Sequence, residues 1–150
     1  MLRTWALLSV TAVTFALLVI GASRADDDDD KSPLAKIMVK IDKETKAIKN
    51  ATATREKFKA AGNGKAILDS TKVLVEKGKE TRKFEEPSKK MKKPLATWVD
   101  MTDRYLTSVG ELSQAAKKGD LVASRKAYTA LNVTCSNCHG AFRPEVGDGF

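Results

Sequence analysis

Three side chains that can bind a metal or react with a cofactor lie within five consecutive residues near the C-terminus. The chain has two cysteines and one histidine, and the segment CSNCH holds all of them, as Cys135, Cys138 and His139. This spacing fits C-x-x-C-H, the attachment motif of c-type haem. In that chemistry each thiol adds to one vinyl group of the porphyrin, and the adjacent imidazole gives the iron its proximal nitrogen ligand. The motif therefore predicts one covalent haem c, with Cys135 and Cys138 as attachment points and His139 as a metal ligand.

Other interpretations of the same three residues are weaker. A disulfide between cysteines three residues apart in one helix would strain the geometry that the bond requires. A thioredoxin-like redox pair needs C-x-x-C beside a βαβ unit, and no alternating β-branched run predicts a strand. A structural zinc site needs four ligands, which two cysteines and one histidine do not supply. A chance match to so short a motif would not explain why it uses every cysteine and histidine of the chain.

Helices are predicted to position this motif, because apolar residues recur every three to four positions from Pro33 onward. Four helical stretches are separated by AGNGK at 61–65, EEPSKKMKKP at 85–94 and KKGD at 117–120. The last stretch carries a stripe at helical steps that is expected to be buried: Leu121, Tyr128, Leu131, Cys135, Cys138 and Phe142. Four such helices with short connections predict an all-α fold, an antiparallel four-helix bundle with the haem near the C-terminal helix.

The N-terminal residues are predicted to be a targeting segment. Residues 1–25 combine Arg3, an apolar run over 5–20 and small residues up to Ala25, which is the layout of a signal peptide. The alternative is an uncleaved membrane anchor, since the run approaches the ~20 residues that span a bilayer. Residues 26–31, DDDDDK, hold no apolar side chain and are expected to be a disordered acidic lead-in. The chain is therefore expected to be periplasmic, with one domain over 32–150.

Charge bears on the partners of this chain. Lysine and arginine number 27 against 19 acidic residues, a formal net charge of +8 that favours acidic partners. Lys89, Lys90, Lys92 and Lys93 form a basic loop that could steer an acidic redox partner, or that could simply be solvated. Nucleic acid is not expected as a partner, because the chain is predicted to be exported, has few aromatic residues and shows no motif that binds nucleic acid. Without a second histidine or a placed acidic pair, no enzymatic activity is expected.

The C-terminal helix resembles that of class II cytochromes c, a family that includes cytochrome c prime. The similarity rests on C-x-x-C-H in the last of four helices and on the following residues Ala141–Arg143. It covers about residues 32–144, although Gly140 stands where the family more usually has a polar residue. The resemblance implies a periplasmic single-haem protein that transfers one electron at a time between redox partner proteins. It also allows a homodimer, as in many cytochromes c prime.

Met38 separates two functions within that family. By spacing alone Met38 packs in the core, on one stripe with Leu34 and Ile41. The resemblance to low-spin members implies instead that Met38 is the sixth ligand, which raises the reduction potential and saturates the iron. The alternative is a five-coordinate, cytochrome c prime-like protein that binds gases such as nitric oxide or carbon monoxide. Arg143 is expected beside a haem propionate, or else solvated at the helix end.

Overall fold

The structure, a computed structural model, describes residues 32–143. Over this range the chain forms six helices and no strand, which confirms the predicted all-α fold: α1 (Pro33–Thr52), α2 (Arg55–Ala60), α3 (Lys65–Thr81), α4 (Glu86–Lys90), α5 (Leu95–Lys117) and α6 (Leu121–Phe142). The predicted signal peptide at 1–25, the acidic lead-in at 26–31 and residues 144–150 lie outside the described residues. Across residues 32–143 no helix has the length and apolar character needed to cross a bilayer.

The first and last helices each begin at a residue whose side chain caps the helix. The Ser32 hydroxyl accepts a hydrogen bond from the backbone N–H of Ala35 at 3.2 Å, and Pro33 occupies the first turn of α1. The Asp120 carboxylate accepts from the N–H of Ala123 at 2.9 Å at the start of α6. Each cap satisfies a backbone donor that has no partner inside the helix. Local sequence therefore fixes where the two helices that flank the candidate site begin.

The connections between the long helices are more structured than predicted. The first helical stretch was expected to continue to residues 61–65, but α1 ends at Thr52. Thr54 is extended, with φ −136° and ψ 167°, and its hydroxyl accepts from the N–H of Lys57 at 3.1 Å, which starts the separate short helix α2. The polar stretch at 85–94 likewise contains α4, whose Pro87 and Ser88 are buried. Four predicted helical stretches thus become four long helices and two short ones.

Three helices end in the same backbone arrangement, in which the second residue after the helix has left-handed geometry. The amide of the next residue then donates to a carbonyl of the last turn: Asn63 to Phe58 and Lys93 to Ser88, both at 3.0 Å, and Asp120 to Ala115 at 3.3 Å. The left-handed residue is Gly62 at φ 74° after α2 and Gly119 at φ 65° after α5. After α4 it is Lys92, at φ 50°. This is the Schellman motif, for which glycine is the usual left-handed residue.

The core lies among the four long helices. Helix α1 packs against α3 and α6, and α5 also packs against α3 and α6. Six large apolar side chains between them are fully buried: Ile48, Ile67, Leu74, Val109, Leu112 and Leu131. Burying such side chains stabilises the fold by roughly 1.5–3 kcal/mol each. One shared core therefore buries the apolar stripes of all four long helices.

One end of the molecule, which we call the closed end, consists of residues 52–65 and 115–125. There Gly64, at φ 107°, lies so close to α5 that a Cβ atom would overlap the Ala116 carbonyl. Arg125 ties the start of α6 to the end of α1, donating from Nε to the Thr52 carbonyl and from Nη2 to the Ala53 carbonyl, both at 2.7 Å. A guanidinium on the last carbonyls of a helix satisfies acceptors that the helix leaves open. Turns and a cross-helix contact together seal this end.

Candidate functional site

The last turns of α6 place Cys135, Cys138 and His139 on one side of the helix. Residues three and four apart are neighbours on a helix surface, so the C-x-x-C-H spacing brings both thiols and the imidazole together. All three side chains are half-buried, and both thiols are free. Of the stripe that was expected to be buried, only Leu131 is fully so. Toward the end of α6 this face is less buried because it borders a cavity.

That cavity, of about 840 Å³, lies at the end of the molecule opposite the closed end. Its walls come from the start of α1, the end of α3, helix α4, the start of α5 and the end of α6. We call this region, residues 32–45, 78–105 and 132–143, the cavity end. The cavity brings together every residue that the sequence proposed for the site: Cys135, Cys138, His139, Met38 and Arg143. Separate positions in α1 and α6 thus meet at one concave surface.

Met38 reaches the cavity from the first turns of α1. Its side chain is half-buried and also packs against the hydrophobic core. A second methionine, Met101, lines the cavity from α5, whereas Met91 in the connection after α4 is not part of the wall. The sequence placed Met38 on an apolar stripe of α1, and Met101 lies at helical spacing from Trp98 and Tyr105 on α5. Only the packing of the helices places both methionines at the same cavity.

Burial controls the protonation of the three motif residues. It raises the pKa of the Cys135 thiol, and it raises the pKa of the Cys138 thiol to about 11, with a smaller contribution from neighbouring Cys135. The pKa of His139 is lowered, first by burial and then by the nearby Arg143 guanidinium. Near neutral pH the thiols are therefore protonated and the imidazole is neutral. A neutral imidazole is the form that binds a metal.

Aromatic side chains from α5 and α6 form the wall nearest the end of α6. Buried Trp98 donates from its indole N–H to the Thr81 carbonyl at 3.2 Å, and its ring meets Phe142 edge-on, with centroids 5.0 Å apart. Tyr105 is also buried, and its hydroxyl donates to the Leu74 carbonyl at 3.4 Å. Burial, together with nearby Cys135, raises the pKa of Tyr105. Trp98 and Tyr105 line the cavity, whereas Tyr128 packs on the core and does not reach it.

Polar side chains that sequence reasoning did not assign to the site also line it. Asp42 and Thr45 follow Met38 by four and seven positions on α1, and Asn132 precedes Cys135 by three on α6. Helical periodicity from the motif residues could have found them, since they share the same faces. Lys90 of α4 also contributes to the wall. No local pattern links Lys90 to the motif, because α4 reaches the cavity only through tertiary packing.

In the part of the chain that the structure describes, no three His, Cys, Asp or Glu side chains are grouped so that they could hold a metal ion by themselves. Comparison with protein-family models, with curated proteins and with solved structures finds no match to this chain. The interpretation of the site therefore rests on its own residues and on where the fold places them.

Proposed function

We propose that this protein is an exported class II cytochrome c that carries single electrons. In this proposal Cys135 and Cys138 would hold one haem c covalently, and the His139 imidazole would bind its iron. The observation that carries the proposal is the single cavity lined by both thiols, the imidazole, Met38 and Arg143. Met38 is far from the C-x-x-C-H motif in the sequence, yet both line the same cavity, as the binding of one haem would require.

The proposed architecture is an antiparallel bundle of α1, α3, α5 and α6. In support of it, the start of α3 meets the end of α5 where Gly64 approaches Ala116. The start of α6 meets the end of α1 through Arg125. The start of α5 meets the end of α6 where Trp98 touches Phe142. Bundles of this kind build cofactor sites from side chains on facing helices.

The cavity fits the proposed group in size and lining. Pockets for small molecules and cofactors measure about 300–1,000 Å³ and are mostly apolar with a few placed polar groups. The cavity here falls inside that range, and most of its wall is apolar. Both thiols at its wall are free to form thioethers. The residues present therefore suit a flat, largely apolar macrocycle attached at α6.

Each part of the chain would have a defined task toward that group. When bound, haem supplies one-electron chemistry through its iron. Cys135 and Cys138 would anchor it to a helix, and the same helix would orient the His139 imidazole. Trp98 and Phe142, packed against each other, would exclude water from one side of the cavity. Rigid ligands and a dry apolar shell limit reorganisation and tune the potential.

The proposal has two forms, which differ in whether Met38 binds the iron. In the favoured form Met38 and His139 would both bind the iron, and the protein would transfer electrons to and from partner proteins in the periplasm. One observation favours the second form, a five-coordinate gas-binding protein: the Met38 side chain packs against the core. A methionine held by core contacts would not bind the iron, and the haem could then take up nitric oxide or carbon monoxide. Arg143, exposed at the cavity, would pair with a haem carboxylate in either form.

Mass spectrometry of the protein, exported from a host with a haem-attachment system, tests the proposal. We expect one covalent haem on the parent chain and none on C135A/C138A. The variant S136A, altered between the two cysteines, serves as the matched control and should keep the haem. A parent chain of bare polypeptide mass would overturn the proposal.

The absorption spectrum then separates the two forms. Low-spin features with the weak far-red band of sulfur–iron ligation support Met38 as a ligand, and Met38→Ala should remove that band. Met91→Ala, which alters a methionine outside the cavity wall, should not. A high-spin parent spectrum with ready carbon monoxide binding would assign the gas-binding form.

A further inference from the structure

Four exposed cations lie near the cavity, on α4, in the turn that follows it and at the end of α6. Lys90 and Arg143 line the cavity itself. The ammonium group of Lys93 lies 5.6 Å from the ring centre of Phe142, which is also part of the wall. Lys92 stands between Lys90 and Lys93 in the same turn. We call Lys90, Lys92, Lys93 and Arg143 the cationic rim.

The cationic rim is not neutralised by the carboxylates of the described residues. Two neighbouring cations are paired: Lys89 with Glu85 at 2.9 Å and Arg82 with Asp103 at 2.7 Å. The four rim cations form no such ion pair within residues 32–143. Glu86 and Asp42 also lie at the cavity wall, so the local excess of positive charge is reduced but not cancelled. The rim is thus a surface that attracts anions.

The rim lysines are held in place by backbone hydrogen bonds. The amides of Met91, Lys92 and Lys93 donate to carbonyls of α4 at 3.0–3.2 Å, and α4 is anchored by buried Pro87 and Ser88. A fixed backbone keeps the Cα atoms of these lysines beside the cavity, while each four-carbon side chain stays flexible. The segment therefore holds its positive charges at one place on the surface.

The backbone of Lys92 has a conformation that is unusual for a lysine. It occupies the left-handed position of a Schellman motif, where the equivalent motifs of this chain have Gly62 and Gly119. Left-handed geometry is unfavourable for a lysine and neutral for glycine. Backbone strain of this kind is concentrated at functional sites. Keeping a charged residue there points to a use for the charge at the cavity end.

We propose that the cationic rim is the docking surface for an acidic redox partner protein. The inference rests on the proposed function and deepens it by naming the class of partner and the face it meets. Docking here would bring the partner to the part of the cavity where α6 carries His139. A membrane surface fits less well, because interfacial binding needs a whole apolar face. The exposed large apolar residues of the cavity end, Val39, Leu95 and Val133, lie singly on three different helices.

Binding of fluorescent poly-L-glutamate to the haem-loaded protein, followed by fluorescence anisotropy, tests this proposal. The rim variant is K90E/K92E/K93E. The matched control K59E/K118E/K126E makes the same charge change on exposed lysines at the opposite end of the long helices. We expect the rim variant to bind about tenfold more weakly or worse at low salt, and the control to lose about threefold or less. Oxidation of the reduced protein by ferricyanide, a small anion, should slow in the same order.

Equal losses in the two variants would overturn the proposal, because binding would then follow net charge alone. So would rim-dependent binding to phosphatidylglycerol vesicles that exceeds binding to poly-L-glutamate. Thermal unfolding monitors the fold of both variants, and K90Q/K93Q replaces the triple variant if that one is unfolded. Haem mass measured on the same samples decides the proposed function separately, so a protein that carries haem but shows no rim effect refutes only the docking surface.

Discussion

The closed end and the cavity end of this protein use the same four long helices in opposite ways. At the closed end, glycines let backbones approach and Arg125 joins two helices. At the cavity end, the same helices separate around a space of about 840 Å³ lined by half-buried reactive side chains. Close backbone contacts are therefore found at the closed end, whereas the side chains that could bind a cofactor are found at the cavity end.

The two ends also differ in the residue types that occupy positions of positive φ. At the closed end, the sequence places glycine wherever the backbone has positive φ, except at Asn63. At the cavity end, it places Lys92. Asparagine tolerates this geometry better than most residues because its short polar side chain can hydrogen-bond to the nearby backbone, which a lysine side chain does not do. The closed end follows local backbone preference, and the cavity end departs from it.

The largest expected effect comes from Gly64→Ala at the closed end. The new Cβ would overlap the Ala116 carbonyl, and φ 107° is unfavourable for alanine, so we expect a loss of about 4 kcal/mol in the free energy of unfolding. Urea denaturation measures it. Gly110→Ala is the control, since a Cβ there meets nothing within 4 Å in the middle of α5 and should be neutral or stabilising. Equal behaviour of the two variants would refute the tight contact at Gly64.

Two truncations on α5, one in the core and one at the cavity, should lower the free energy of unfolding by unequal amounts, and each by less than Gly64→Ala. Leu112→Ala removes a fully buried side chain, with an expected loss of about 3 kcal/mol. Met101→Ala enlarges a cavity that already exists and removes a half-buried side chain, with an expected loss of about 1 kcal/mol in the protein without haem. Denaturant melts of both variants test the contrast. A cost at Met101 equal to that at Leu112 would mean that the cavity end is as tightly packed as the core.

Arg125→Met should lower the free energy of unfolding by about 2 kcal/mol. The substitution removes two hydrogen bonds from a charged donor to the carbonyls of Thr52 and Ala53. Arg104→Met is the matched control. Arg104 forms one exposed ion pair with Asp100 on its own helix, and such pairs contribute about 0–1 kcal/mol. Hydrogen exchange at the start of α6 should increase in the Arg125 variant alone. No difference between the variants would show that this contact does not seal the closed end.

The smallest effect has the opposite sign. Lys92→Gly relieves an unfavourable left-handed lysine and should stabilise the protein by about 0.7 kcal/mol. The reverse change, Gly119→Lys, should lower stability by a similar amount at the equivalent position after α5. Thermal melts at matched ionic strength measure both. If Lys92→Gly destabilises the fold, Lys92 is retained for stability and the argument from strain fails.

Much of the local structure could be predicted from the sequence. Ser32 and Asp120 mark the starts of α1 and α6, and the helical spacing of Cys135, Cys138 and His139 correctly places them on one face. The end of α1 was predicted too late, because the break at Thr54 depends on one side-chain cap that competes weakly with helix continuation. Burial of the α6 stripe was overestimated, since a pattern of apolar residues does not distinguish a packed core from a cavity wall.

The sequence by itself determined the helices, their caps and the concentration of every cysteine and histidine in one motif, because these depend on residues within a few positions of each other. Only the tertiary structure decided that Met38, Met101, Tyr105 and Lys90 share one cavity with that motif. It alone decided as well that one end of the helices closes while the other stays open. Those outcomes depend on how four helix faces fit together, and no local spacing encodes which distant side chains will meet.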